Sequence, residues 1–225
     1  MYNEFIWEMG DKMENRCRLN EAMKVFWIFI LGSLAGYILE MIVAFVQNGY
    51  FESRQGVIYG PFTPVYGIGA VLYYLFFKKL KTRNRVKVFF ITMVLGGMVE
   101  YLCSLLQEKL FGTVSWDYSN LWFNINGRTS LLHCIYWGVA GVLYTYLEPY
   151  INNLGNVFTQ NNFKVLTTTF VVFMAFNITI SYMAACRQTE RNNNIPAQDQ
   201  IDAFLDRHYP DEYMDKIFAN KKIVH

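Results

Sequence analysis

Two glutamates stand inside apolar stretches of this chain, Glu40 within Val25–Val46 and Glu100 within Val88–Leu110. Each stretch is about long enough to cross a bilayer. A carboxylate in hydrocarbon costs a few kcal/mol, so such groups face a protein interior or a watery cavity. Asp117, Asn126, Arg128 and His133 follow in the loop and helix start beyond Glu100. Three chemistries suit this set. Arginine's fork matches a carboxylate, so Arg128 paired with one or both glutamates would make a structural ion-pair network. A polar cavity would instead use all six residues to bind a solute, with Glu40 and Glu100 as ligands or proton carriers. The third is lipid-linked catalysis, with His133 or a glutamate as general base. No nucleophile motif, HExxH sequence or metal-spaced His/Asp set supports that third reading, so no catalytic residue, metal site or cofactor is assigned. Ser115 and Ser119, beside Asp117, read as turn caps. Asn124, Asn126 and Gly127 read as a turn that uses left-handed backbone angles.

The elements that must position these residues are helices. The 225 residues are 53% hydrophobic, and the apolar residues fall in five blocks, which is the pattern of membrane spans and not of a soluble core. The sequence predicts an all-α, polytopic transmembrane bundle with spans near 25–46, 62–77, 88–110, 131–147 and 165–185. Pro61 and Pro64 open the second span, as proline can in a first helical turn, and Pro149 is expected to end the fourth. Residues 1–22 are acidic throughout with no cleavage site, so they read as an interfacial helix anchored by Phe5, Ile6, Trp7 and Met9. Residues 186–225 form a polar tail with short amphipathic helices, which would dock on the bundle, lie on the membrane or bind a partner. Asn177 and Ser181 are the main polar groups of the fifth span, which reads as a packing helix. Cys17, Cys103, Cys134 and Cys186 are scattered and give no disulfide framework. A net charge of +2 argues against nucleic acid.

Lysine and arginine set the orientation. Lys78, Lys79, Lys81, Arg83, Arg85 and Lys87 crowd the loop between spans two and three, and Lys12, Arg16, Arg18 and Lys24 precede span one. The N-terminus is therefore expected in the cytoplasm, with the loops after spans one and three outside. Five spans would place the tail outside as well, although its own basic residues weaken that placement. The outer-loop aromatics Trp116, Tyr118, Trp122, Tyr136 and Trp137 read as interface anchors, with a sugar or choline-like pocket as the alternative.

The chain also echoes itself. Tyr66–Tyr73 aligns without gaps to Trp137–Tyr144, and Gly36 precedes Glu40 at the offset by which Gly96 precedes Glu100. Each unit reads as a helix with a buried glutamate, an outer loop, then a glycine-rich helix, a two-helix repeat like the parallel repeats of some transporters.

These blocks resemble the CmpB-type ABC-transporter permease family. The matching segments are Gly36–Glu40, Gly56–Gly67 (GVIYGPFTPVYG), Glu100, Trp116–Ser119 (WDYS), Asn124–Arg128 (NINGR), His133 and Trp137-Gly138. Phe204–Asp206 and Tyr209–Glu212 extend the match into the tail. The resemblance implies a multi-pass cell-membrane protein acting as the permease component of a transporter, with a polar site in the outer half of the bundle. No Walker A motif is present, so the chain would be the membrane half of an ATP-driven system. An ATPase or other membrane subunit is the implied partner, alongside the bilayer. Five spans are few for a transport path, which suggests a homodimer or a partner subunit. The competing readings are a non-transporting scaffold or accessory subunit and, further off, a lipid-modifying enzyme.

Overall fold

Each apolar block folds into one long helix. The computed structural model describes residues 2–79, 84–158, 160 and 163–223, with side chains described for 13–79, 84–153, 157–158, 160 and 163–222. The anchors Phe5, Ile6, Trp7 and Met9, and Lys12, Lys81 and Arg83, lie outside the residues so described. Five helices build the bundle: α1 (Tyr2–Asn48), α2 (Pro64–Lys79), α3 (Arg85–Phe111), α4 (Leu131–Phe158) and α5 (Lys164–Asn192). Two short helices, α6 (Gln200–His208) and α7 (Asp211–Ile217), carry the tail. Four two-residue strands complete the described residues: β1 (Thr113–Val114), β2 (Asn124–Ile125), β3 (Thr129–Ser130) and β4 (Lys222–Ile223). The fold is the expected all-α helical bundle.

Helix ends follow local chemistry. Asn84 caps α3, its side chain accepting from the backbone N–H groups of Val86 and Lys87 at 3.0 and 3.2 Å. Gly112, at φ 62°, closes α3 and donates to the Glu108 carbonyl. Pro64 is the first residue of α2, where its missing N–H is harmless. Pro149 behaves otherwise than expected. It lies inside α4, which runs on to Phe158. One lost backbone bond is offset by packing: Ile151 joins the core, and Phe158 stacks on Trp27 with ring centroids 4.1 Å apart. Residues 2–22 continue into α1 without a break at the boundary expected near residue 22.

Among the described residues, three helices are long and apolar enough to cross a membrane: Met13–Asn48, Arg85–Phe111 and Lys164–Asn192. The 16 residues of α2 span only about 24 Å. The packing is that of a protein in lipid. Phe90, Val94, Met98, Leu102 and Leu106 form an exposed apolar stripe along α3, while Ser33, Thr92, Glu100, Ser104, Asn177 and Ser181 are buried. A soluble bundle would show the reverse.

α1 packs chiefly on α2, and α3 on α4. The loops 49–63 and 112–130 gather at one end, hereafter the loop end. There Asn177, fully buried, clamps the backbone of Tyr59, accepting from its N–H at 3.0 Å and donating to its carbonyl at 2.6 Å. Ser181 accepts from the Ile58 N–H at 2.8 Å.

The tail docks on this same end. Leu205, Tyr209 and Met214 bury against Ile58, Ile180 and Ala184. β4 pairs antiparallel with β1, and Ser53 donates to the Ile217 carbonyl at 2.8 Å. Arg187, its side chain 3% exposed, makes a two-pronged contact with Asp206 at 2.9 and 3.0 Å. Arg191 bridges Asp206 and Asp211 at 2.6 Å each.

Candidate functional site

Among the described residues, the two mid-helix glutamates do not meet a cation. Glu40 accepts a 2.5 Å bond from the Tyr66 hydroxyl. Glu100, 7% exposed, accepts from Thr129 at 2.7 Å and from the Tyr118 hydroxyl at 3.2 Å. Burial and the carboxylates of Glu100 and Glu40 hold the Tyr118 phenol well above its ordinary pKa, so it stays a proton donor to Glu100. Arg128 goes elsewhere. Its guanidinium pairs with Glu108 at 2.5 Å and lies over the Tyr101 ring. The expected pairing of Arg128 with Glu40 or Glu100 is thus replaced. Glu108 sits about 12 Å beyond Glu100 along α3, level with the hairpin that carries Arg128. Contact with Glu108 keeps Arg128 charged.

A small hairpin presents these groups. β2 and β3 pair antiparallel, with Ile125 opposite Thr129. Asn126 (φ 53°) and Gly127 (φ 68°) form the turn, as expected of Asn-Gly. A Cβ at Gly127 would also crowd Ser119 Oγ and Asp117 Oδ1. Asn124 braces the turn, accepting from the Gly127 N–H at 3.0 Å. Asp117 accepts from the Ser119 N–H at 3.0 Å and hydroxyl at 2.6 Å, which holds its carboxyl below the usual range and fixes the preceding loop. The hairpin's inner edge buries Thr129 and Ser130. Ser130 bonds His133 Nδ1 at 2.8 Å, and the His133 ring stacks on Tyr118 at 3.7 Å. His133 therefore supports the phenol that serves Glu100. Asn126 donates to the Tyr101 hydroxyl at 3.1 Å, and Trp116 Nε1 donates to the Arg128 carbonyl at 2.8 Å.

The six expected site residues thus fall into two neighbouring groups. Glu40, Glu100 and His133 join an inner cluster with Tyr66, Tyr118 and Thr129. Asp117, Asn126 and Arg128 line an outer recess with Ser104, Glu108 and Trp116. Glu108 and Ser104 were readable as partners: Glu100, Ser104 and Glu108 recur every fourth residue and so share one face of α3. Nothing in the sequence pointed to Thr129, whose role comes from the hairpin's register.

Contacts within the bundle correspond pairwise. Gly36 packs beneath the Tyr66 ring so closely that a Cβ would overlap it, and Gly96 packs beneath Trp137 in the same way. Gly67 meets Phe29 as Gly138 meets Phe89, and Gly32 meets Ala70 as Gly141 meets Thr92. In each case the first contact maps onto the second by the offsets that align Gly36 with Gly96 and Tyr66 with Trp137. Aligned residues also touch each other, Tyr66 with Trp137 at 5.8 Å and Tyr73 with Tyr144 at 5.9 Å.

A helical bundle with lipid-facing apolar stripes and a buried carboxylate defines an integral membrane protein. Its sequence matches the family described as "Putative ABC-transporter type IV" over residues 27–182, and the chain belongs to that family. No curated protein and no solved structure matches it.

Proposed function

We propose that this chain is the permease component of a transporter, with its solute site at the loop end between α1, α2, α3 and α4. The loops face outward and the N-terminus lies in the cytoplasm, following the basic residues around Lys78 and Arg85. One observation carries the reading. Glu40 and Glu100 occupy corresponding positions in two similar helix pairs, and among the described residues Glu40 is held by one hydroxyl and Glu100 by two, with no cation on either. A network serving only packing would neutralise them with arginine, because an unpaired carboxylate in the membrane is costly. Hydroxyl donors leave room for a proton or a positively charged group to come and go. Sites between repeated units are where such transporters bind. The two helix pairs are read as a duplication, with α2 and α4 meeting at its axis. Asp117, Asn126 and Arg128 form the mouth of the site, and a second copy or another subunit completes the path.

The test is affinity capture of the chain from native membranes in mild detergent, with mass spectrometry of what accompanies it. Reproducible recovery of a nucleotide-binding ATPase is expected. Recovery of the chain alone, as monomer or homodimer, would overturn the permease reading in favour of a scaffold.

A further inference from the structure

The two ends of the bundle treat their cations differently. At the loop end Arg54 pairs with Glu52, Arg128 with Glu108, and Arg187 and Arg191 with Asp206. At the opposite end the run KKLKTRNRVK, residues 78–87, holds six basic residues and no acidic one. Its described members are Lys78 and Lys79, which end α2, and Arg85 and Lys87, which begin α3. All four are exposed. Phe77, Val88 and Tyr144 share one core cluster, which holds these two helix ends side by side against α4. Lys24 of α1 stands close by, 5.2 Å from the centre of the Tyr74 ring. The carboxylates there do not balance the charge. Glu21 is occupied by Lys78 at 2.5 Å and by the Tyr74 hydroxyl at 2.8 Å, and Glu148 lies one turn beyond Tyr144 on α4.

Among the described residues, the side chains of Lys79, Arg85 and Lys87 have no hydrogen-bond or ion-pair partner. The Arg85 guanidinium lies 4.9 Å over the Tyr146 ring. That stacking uses its face and leaves its N–H edge for an acceptor. The surface beside these cations is apolar. Val86, Phe90 and Val94 are exposed and recur every fourth residue, so they share one face of α3. This stripe starts between Arg85 and Lys87 and continues along the membrane-spanning length of the helix. Tyr146 and Tyr150 are exposed on α4, as aromatics are at a membrane–water boundary. A free phosphate or an acidic protein would meet the cations but not the stripe. An anionic glycerophospholipid meets both, with its phosphate on the cations and its acyl chains on the stripe. Basic clusters at the ends of membrane helices attract such headgroups.

We infer that the α2–α3 end of the bundle binds an anionic glycerophospholipid, its phosphate on Lys79, Arg85 and Lys87 and its chains along Val86, Phe90 and Val94. The inference does not rest on the permease reading. Lipid binding is measured on the chain alone, so its failure would leave recovery of an ATPase untouched.

The purified full chain in mild detergent is titrated with phosphatidylglycerol and, separately, with phosphatidylcholine. Bound lipid is counted by native mass spectrometry, and Tm is followed in parallel. Phosphatidylglycerol should bind at least about tenfold more tightly, and the preference should shrink with added salt. The triple variant Lys79→Gln, Arg85→Gln and Lys87→Gln should lose the preference while keeping the wild-type Tm in phosphatidylcholine. The same loss of charge from exposed residues of the loop end, Lys109→Gln with Arg207→Gln and Lys216→Gln, should leave the preference intact. Glycerol phosphate, which has no chains, should not displace the lipid at equal concentration. The inference is overturned if the two lipids bind alike, if the triple variant keeps the preference, or if the loop-end variant loses it equally. Displacement by glycerol phosphate would overturn it in favour of a free phosphate ligand. A triple variant that binds lipid as wild type does but no longer recovers an ATPase from membranes would instead make the basic run a protein-docking surface.

Discussion

Glu100 and Asn177 show how differently two buried polar residues can be used in one bundle. Asn177 saturates a backbone: its amide takes both the N–H and the carbonyl of Tyr59. Asn177→Ala leaves both groups orphaned, so a loss of about 2–4 kcal/mol is expected in Tm or denaturant measurements. Glu100 is held by two hydroxyls that can bond a carboxamide equally well. Glu100→Gln removes a costly buried charge while keeping the shape, so stability should stay within about 1 kcal/mol of wild type or rise. The residue types were readable from the sequence, because a glutamate inside an apolar block is conspicuous. Their partners were not. Arg128 seemed the natural counter-ion for Glu40 and Glu100, but α3 carries a third carboxylate, Glu108, level with the hairpin. Distance along a helix decides such pairings, and it requires knowing where the loop folds back.

Among the elements, the glycine-lined contacts between α1 and α2 and between α3 and α4 do most to define the bundle. Gly96 admits the Trp137 ring where a Cβ would overlap it. Gly96→Ala should therefore cost about 1–3 kcal/mol by forcing α4 away from α3, and Gly36→Ala should do the same against Tyr66. Similar losses in both variants, measured by thermal unfolding in detergent, would support the two-unit reading. Unequal losses, with one variant neutral, would count against it. The five helices were readable because apolar blocks and a proline at the start of α2 each have a local cause. Pro149 was misleading because its effect is settled by tertiary packing of Phe158 on Trp27, which no local rule registers.

For the whole molecule, the tail is the part that sequence left most open, and docking decides it. Its amphipathic faces are short and fit a membrane, a partner or the bundle equally well. The structure places them on the loop end through Leu205, Tyr209 and Met214 and through the Arg187–Asp206–Arg191 network. Arg187→Ala strips a buried charge from that network and should weaken docking by on the order of 3 kcal/mol, read as faster proteolysis after residue 193. Asp206 has its carboxyl held below the ordinary value of 3.8, chiefly by its bond to Arg187. A depressed native pKa stabilises the docked state above the unfolded value and loses that contribution as pH falls through the native one. Docking should accordingly hold at neutral pH and loosen in acid below about pH 3.8, with Asp206→Asn loosened at every pH.

The central claim is that Glu40 and Glu100 serve transport and not packing. The most direct measurement is the ATPase rate per folded complex of the chain with the nucleotide-binding ATPase proposed to accompany it, for Glu100→Gln against wild type. The account predicts an assembled complex with an unchanged Tm and a rate lowered at least about tenfold, a loss of about 1.4 kcal/mol or more in coupling. A variant with a clearly lowered Tm but a wild-type rate per folded complex would contradict it and return Glu100 to a structural role.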